Sequence, residues 1–214
     1  LRCLYKGFRM ILENKLGIKS EIELAKEEER ISKLKAKKLF ENVFFDTLEA
    51  GSFESLSIIH FELFGDIYDF AGKIRSVNIS KGNFRFAPIT YLEEAIKQIE
   101  SMNQFTFDEI IEKYVEMNVA HPFREGNGRS MRIWLDLMLK SEIKKVVDWN
   151  SVQRDDYLMA MERSPIKDTE IKLLLKNALS DEINNPDVFM KGIDASYYYE
   201  GYTLYITKEL EENK

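Results

Sequence analysis

Apolar positions recur every three or four residues over most of the chain, and this spacing predicts helices nearly throughout. Leu56, Ile59, Leu63 and Phe64 form one such stripe. His60 lies among them, and a lone histidine with apolar neighbours reads as a hydrogen-bonded packing residue. Thr106-x-x-Glu109 is a capping box that opens another helix, with Phe107, Ile110, Ile111, Tyr114 and Val115 on its apolar face. That helix must stop at His121, because Pro122 disfavours helical geometry at the residue before it. The next starts near Gly128. Its Ile133, Trp134, Leu135, Leu137, Met138 and Leu139 point in nearly all directions, which predicts a central position.

Further on, Asn150-x-x-Gln153 resembles a second capping box ahead of Tyr157, Leu158 and Met161. Ser164-Pro165 breaks that helix, and Asp168 caps one carrying Ile171, Leu174 and Leu175. Asn185-Pro186 supplies an N-cap and a proline at N1 for a last helix. It passes Ile193 and Ser196 and reaches Glu200, with Gly201 as its C′ residue. Residues 20–41 are dense in Lys and Glu, with sparse apolar points at Ile31, Leu34 and Phe40, and read as a largely solvated packing or solubilising helix. One stretch departs from the helical period. Val77 to Phe86 alternates around Lys81-Gly82-Asn83 and predicts a short β-hairpin, the only convincing strand pair in the sequence. An isolated hairpin is marginally stable, so it must lie on the helical body, where it can serve as a flap.

Composition narrows the class. The 214 residues, 44% hydrophobic and 32% charged, suit one globular domain with appended helices. A net charge of −6 argues against a general nucleic-acid binder. The single cysteine, Cys3, excludes an intrachain disulfide and a cysteine-rich zinc site, and fits a reducing compartment. No run approaches the ~18 apolar residues of a membrane span, and residues 1–18 lack a secretory core. The expected compartment is the cytoplasm, with no membrane or direct nucleic-acid partner.

The chemistry concentrates in His121-Pro-Phe-Arg-Glu-Gly-Asn-Gly-Arg-Ser-Met-Arg132. Glycines at the start of a helix let backbone N–H groups converge on an anion, and the helix dipole favours negative charge there. Arg129 and Arg132 are three apart and share a face, an arrangement suited to a polyphosphate. Glu125 is a candidate oxygen ligand for Mg²⁺, which takes one or two protein carboxylates beside substrate phosphates. His121 is a candidate base for a hydroxyl attacking phosphorus. If the loop and arginines hold the distal phosphates, the α-phosphate lies nearest His121, and attack there transfers a nucleotide.

This run resembles the Fic motif, His-x-Phe-x-(Asp/Glu)-Gly-Asn-Gly-Arg-x-x-Arg, and matches every defined position. Tyr68 to Arg75 resembles the family's segment before its flap, and Asn78 to Phe86 the flap itself, so the likeness covers about residues 50–180. It implies an all-α Fic-type bundle with one hairpin flap, divided into an N-terminal helical extension (1–50), a catalytic core (51–183) and a C-terminal helix and tail (184–214). The implied activity is transfer of AMP from ATP to a Ser, Thr or Tyr hydroxyl of a target protein. His121 would be the base and Glu125 the Mg²⁺ ligand. Gly126, Asn127 and Gly128 would cradle the anion, and Arg129 and Arg132 would hold the β- and γ-phosphates. Lys81, Gly82, Asn83 and Phe84 would dock target backbone by strand addition. Lys81 and Tyr157 are further nucleotide-contact candidates, with core packing the alternative for Tyr157. Phe123 reads as a core anchor. A kinase-like branch has Lys in place of Gly128, so Gly128 favours AMP transfer, while a phosphocholine-transferring branch shares the motif.

Ser196-Tyr-Tyr-Tyr-Glu200-Gly201 resembles the family's inhibitory motif, (Ser/Thr)-x-x-x-Glu-(Gly/Asn), in its C-terminal subclass. Ser196 and Glu200 share a helix face. A carboxylate from Glu200 on Arg132 would occupy the γ-phosphate seat. The alternatives are removal of AMP from a modified protein and a non-enzymatic, antitoxin-like helical module. Relatives of this short type are associated with type II topoisomerase subunits and effector relatives with small GTPases. A homo-oligomer that shields the last helix is one further arrangement.

Overall fold

Among the residues described, 11–82 and 84–211, the computed structural model holds eight α-helices and two small antiparallel strand pairs. In chain order these are α1 (Glu21–Glu41), α2 (Phe53–Phe64), β1 (Ser80–Lys81), β2 (Phe84–Arg85), α3 (Ile89–Glu100) and α4 (Phe107–Ala120). They continue as α5 (Asn127–Ile143), β3 (Val146–Val147), α6 (Arg154–Arg163), α7 (Thr169–Asn177), β4 (Leu179–Ser180) and α8 (Pro186–Tyr199). No described helix is long and apolar enough to cross a membrane.

The all-round apolar surface of α5 has the predicted consequence. It packs against α2, α4 and α8, and its Met131, Trp134, Leu135 and Met138 are inaccessible to solvent. The indole N–H of Trp134 donates to the Ser52 carbonyl at 2.9 Å, so this large ring is buried without losing a hydrogen bond. Truncating such a side chain to alanine costs about 3–5 kcal/mol. Phe123 is equally buried and stacks on His60 at 3.9 Å.

Local signals set most helix ends. Thr106 and Glu109 form the reciprocal capping box. Asn185 accepts from the N–H groups of Asp187 and Val188, with Pro186 at N1. The end of α8 is a Schellman turn: Tyr202 N–H donates to Tyr197 O and Gly201 N–H to Tyr198 O, both at 3.0 Å, with Gly201 at φ 92°.

Three expectations need correction. Asn150 and Gln153 do not form a capping box. Asn150 lies within a 3-10 turn, Trp149–Ser151, and Gln153 precedes α6 without a side-chain cap. Asp136 causes this, because it accepts from Val147 N–H at 2.9 Å and from the Trp149 indole at 2.8 Å and holds the segment against α5. The predicted hairpin forms as Ser80↔Arg85 and Lys81↔Phe84, but a second pair joins β3 to β4. Finally, α1 is not largely solvated. It packs on α2 and α8 and buries Glu28, Glu29 and Lys33.

Candidate active site

His121 sits where α4 stops. It adopts left-handed geometry (φ 49°, ψ 64°), uncommon for a residue with a Cβ, and its N–H still donates to Met117 O. Arg75 holds this turn in place. Its guanidinium donates to the carbonyls of His121 (2.8 Å), Ala120 (3.1 Å), Val77 (2.8 Å) and Ala87 (2.5 Å), and its backbone N–H donates to Pro122 O at 2.8 Å. One buried side chain thus ties the end of α4 to the approach of the hairpin. This role of Arg75 is not legible in the sequence, since four carbonyl partners from three segments leave no local pattern.

The imidazole of His121 lies flat against Phe86, centroids 3.7 Å apart. Its Nδ1 is 3.1 Å from the Asn118 carbonyl, which can only accept, so Nδ1 carries the proton and Nε2 keeps its lone pair. Burial drives the His121 pKa down to about 3, against the pull of the Asn118 carbonyl, with Lys81 pushing the same way as burial. The ring is therefore neutral at pH 7, the form a base requires.

Below the loop, His60 is the packing residue expected. It accepts from Gly72 N–H at Nδ1 (2.9 Å) and donates from Nε2 to Glu125 O (2.7 Å). Asn127 closes the loop on itself: its amide donates to Phe123 O at 2.7 Å and accepts from Phe123 N–H at 2.8 Å. Its side chain is spent on loop shape, which leaves the backbone N–H groups of the first turn of α5 for an anion. Gly126 caps α5 at φ 79°, and a Cβ there would meet the Phe64 ring at 2.6 Å. No larger residue fits.

The two arginines have different partners. Arg132 donates from Nε to Ser196 Oγ (2.6 Å) and from one terminal nitrogen to Ser196 O (2.8 Å) and Glu200 Oε1 (3.2 Å). Lys81 of the hairpin reaches the other Glu200 oxygen at 3.5 Å. Burial would raise the Glu200 pKa, but Arg132 and then Lys81 outweigh it and hold the carboxyl at about 2. Arg129, only 1% exposed, turns to Glu28 of α1 at 2.7 Å and to Glu125 at 3.3 Å, and lies over the rings of Phe64, Tyr197 and Tyr202. In this state the pair is not one in-line grip: Arg132 faces α8, and Arg129 faces α1.

Tyr157 is buried, stacks on Tyr199 at 5.1 Å and shares a 2.5 Å hydrogen bond with Tyr114. It packs behind Arg132, in line with the core alternative. Gly82 turns the hairpin at φ 60°, Phe84 contacts Phe86, and Asn83 lies outside the described residues.

Among the described residues no three metal-ligating side chains converge. Glu125 keeps 31% of its side chain open, and burial raises its pKa against the pull of Arg129. A single half-open carboxylate does not make a metal cage. It fits an ion that arrives already held by phosphate oxygens.

Residues 52–139 match the model of the Fic/DOC family. This stretch is a Fic domain. A protein adenylyltransferase, VbhT of Bartonella schoenbuchensis, is 30% identical over 201 residues, 86% of this chain but 40% of VbhT. The chain thus spans well under half of that relative. A probable protein adenylyltransferase Fic of Salmonella typhimurium is 26% identical, covering 83% of this chain and 92% of the relative. Among solved structures, BepC, a VirB-translocated effector protein of Bartonella tribocorum with bound AMPPNP, superposes with a TM-score of 0.64 at 20% identity, over 83% of this chain and 95% of BepC. That likeness shows the shared helical fold.

Proposed function

We propose that this chain is a protein adenylyltransferase that moves AMP from ATP to a hydroxyl of a target protein, and that Glu200 restrains it. The observation that carries the reading is the Glu200 carboxylate on Arg132, beside the α5 N-terminus and the neutral His121. Arg132 is the arginine of the motif that pairs with Ser196 and Glu200. A carboxylate on it stands in for a phosphate oxygen of the nucleotide.

In the reaction, the target hydroxyl oxygen attacks the α-phosphorus and its proton passes to His121 Nε2. The bond from the α-phosphorus to the bridging oxygen breaks, and pyrophosphate leaves with the electron pair. The His121 tautomer supports this role, because Asn118 O already engages the Nδ1 proton. The N–H groups at the start of α5 bind phosphate oxygens, helped by the dipole at roughly 0.3–1 kcal/mol. Magnesium would neutralise phosphate charge when bound with ATP, and Glu125 would hold it. The hairpin, with two paired residues per strand, is short enough to accept an extended target segment along its edge.

Glu200→Gly tests the reading. It should raise transfer of label from α-³²P-ATP to protein at least tenfold, and His121→Ala should abolish it in that background. Absence of labelling from Glu200→Gly, with ATP still bound, would sink the proposal. Offering a pre-modified target and finding release of AMP instead would favour the reverse reaction.

A further inference from the structure

We propose that α1 is a clamp on the C-terminal segment, and that Glu29 and Lys33 set how firmly Glu200 stays on Arg132. The inference rests on the restraining role of Glu200 and names a second element that controls it.

The Schellman turn after Glu200 sends the chain back across α1. There it meets a row of buried or half-buried charges one helical turn apart. Glu29 is almost fully buried, and its carboxylate accepts from the N–H groups of Leu204 (3.0 Å) and Tyr205 (3.1 Å). Lys33, equally buried, pairs with Glu29 at 3.0 Å and donates to Tyr205 O at 2.6 Å. It also pairs with Asp194 at 3.0 Å. Asp194 belongs to α8, two residues before Ser196, and it accepts from Thr207 N–H (3.0 Å) and Thr207 Oγ1 (2.6 Å). Lys37 extends the row to the carbonyls of Lys208 (3.1 Å) and Leu210 (2.8 Å). Tyr202 adds a hydrogen bond to Glu28.

The arrangement brackets the Ser196–Glu200 motif. Lys33 fixes α8 just before it through Asp194, and Glu29 fixes the chain just after it through two backbone N–H groups. Hydrogen bonds to charged groups contribute more than neutral ones, and a buried ion left alone is costly. Loss of one member therefore loosens its partners as well. Glu28 and Tyr202 contact Arg129 in the first turn of α5, whereas Glu29, Lys33 and Lys37 bond instead to one another, to Asp194 and to the chain after Glu200. The effect of these three on chemistry runs through the position of Glu200 alone. A partner or modification that parts α1 from residues 202–210 would free Arg132 without entering the active site.

The test is Glu29→Gln in the full chain, with Lys37→Met at the rim as the milder second variant. Three readouts apply: labelling from α-³²P-ATP, ATP affinity by calorimetry, and amide exchange over residues 196–205. The expected result for Glu29→Gln is about tenfold more labelling, within the 5–150-fold range of typical couplings. ATP binding should tighten and exchange should quicken, and Lys37→Met should follow in the same direction with a smaller change. In a Glu200→Gly background the same substitutions should add less than twofold. Folded variants with parental labelling and ATP affinity would overturn the clamp, as would a tenfold rise that persists without Glu200. If Glu200→Gly itself fails to label while Glu29→Gln still tightens ATP binding and quickens exchange, the clamp stands and the transfer reading falls.

Discussion

Gly128 leaves the space that Glu200 fills. A Cβ at position 128 would sit 2.6 Å from Glu200 Oε1 and 3.0 Å from Nη1 of Arg132, so the carboxylate holds this place on the guanidinium because residue 128 has no side chain, and a methyl there would push one or both ends aside. Gly128 is an ordinary helical residue without positive φ, so alanine there carries no backbone strain. Gly128→Ala should therefore fold normally yet separate Glu200 from Arg132, seen as faster amide exchange at residues 196–200. The methyl remains beside Arg132 when Glu200 is removed. Labelling by Gly128→Ala/Glu200→Gly should fall at least tenfold below Glu200→Gly alone, and equal labelling would show that the space matters only to the carboxylate.

Arg75→Lys should slow turnover without weakening ATP binding. A lysine cannot span four carbonyls in three segments, so the left-handed turn at His121 loses part of its support. The expected outcome in the Glu200→Gly background is a kcat at least tenfold lower and a KM for ATP within twofold. Unfolding stability should drop by about 2 kcal/mol, the scale of a lost charged hydrogen bond. A raised KM with unchanged kcat would contradict this placement.

His60 should make the fold lose stability in acid, although Asp136, raised by burial to about 7, works against it. Burial holds His60 near pKa 3, below the usual value of 6.5. Between those values the unfolded chain takes up a proton that the folded chain refuses. The His60 share of stability should then fall as pH drops from 6.5, by up to about 1.4 kcal/mol per pH unit. Denaturant unfolding at pH 7, 6 and 5 measures the slope, and His60→Gln should remove about one proton from it. His121 is displaced in the same direction, so labelling by Glu200→Gly should show no acid limb near pH 6.5.

Tyr157→Phe separates packing from nucleotide contact. It leaves the buried Tyr114 hydroxyl without its 2.5 Å partner, which costs about 1–3 kcal/mol. ATP affinity of Tyr157→Phe in the Glu200→Gly background should stay within twofold. A tenfold loss of affinity with unchanged stability would return Tyr157 to the nucleotide site.

Punctuation by local chemistry was legible in the sequence. The Thr106–Glu109 box, the stop at His121-Pro122, the Asn185-Pro186 start and the Gly201 turn each rest on neighbours within a few residues. The contact of Glu200 with Arg132 was also legible, through the i, i+4 spacing of Ser196 and Glu200 and the family motif. What stayed hidden is long-range pairing of charge. Glu28 and Arg129 lie 101 positions apart, and nothing near either marks the other. For the same reason the Lys and Glu density of residues 20–41 read as a solvated face, although part of it is an internal clamp. The failed cap at Asn150 followed from Asp136, whose hydrogen bonds override a local preference. The β3–β4 pair, two residues per strand, is too short to show a period.

The Schellman turn has one more consequence. Glu200 occupies the C-cap of α8, where the last carbonyls gather negative charge. An anion there is opposed by its own helix, by roughly 0.3–1 kcal/mol. Arg132 and Lys81 thus hold a carboxylate that α8 itself repels, and part of the work of dislodging it is already done by the peptide dipoles behind it.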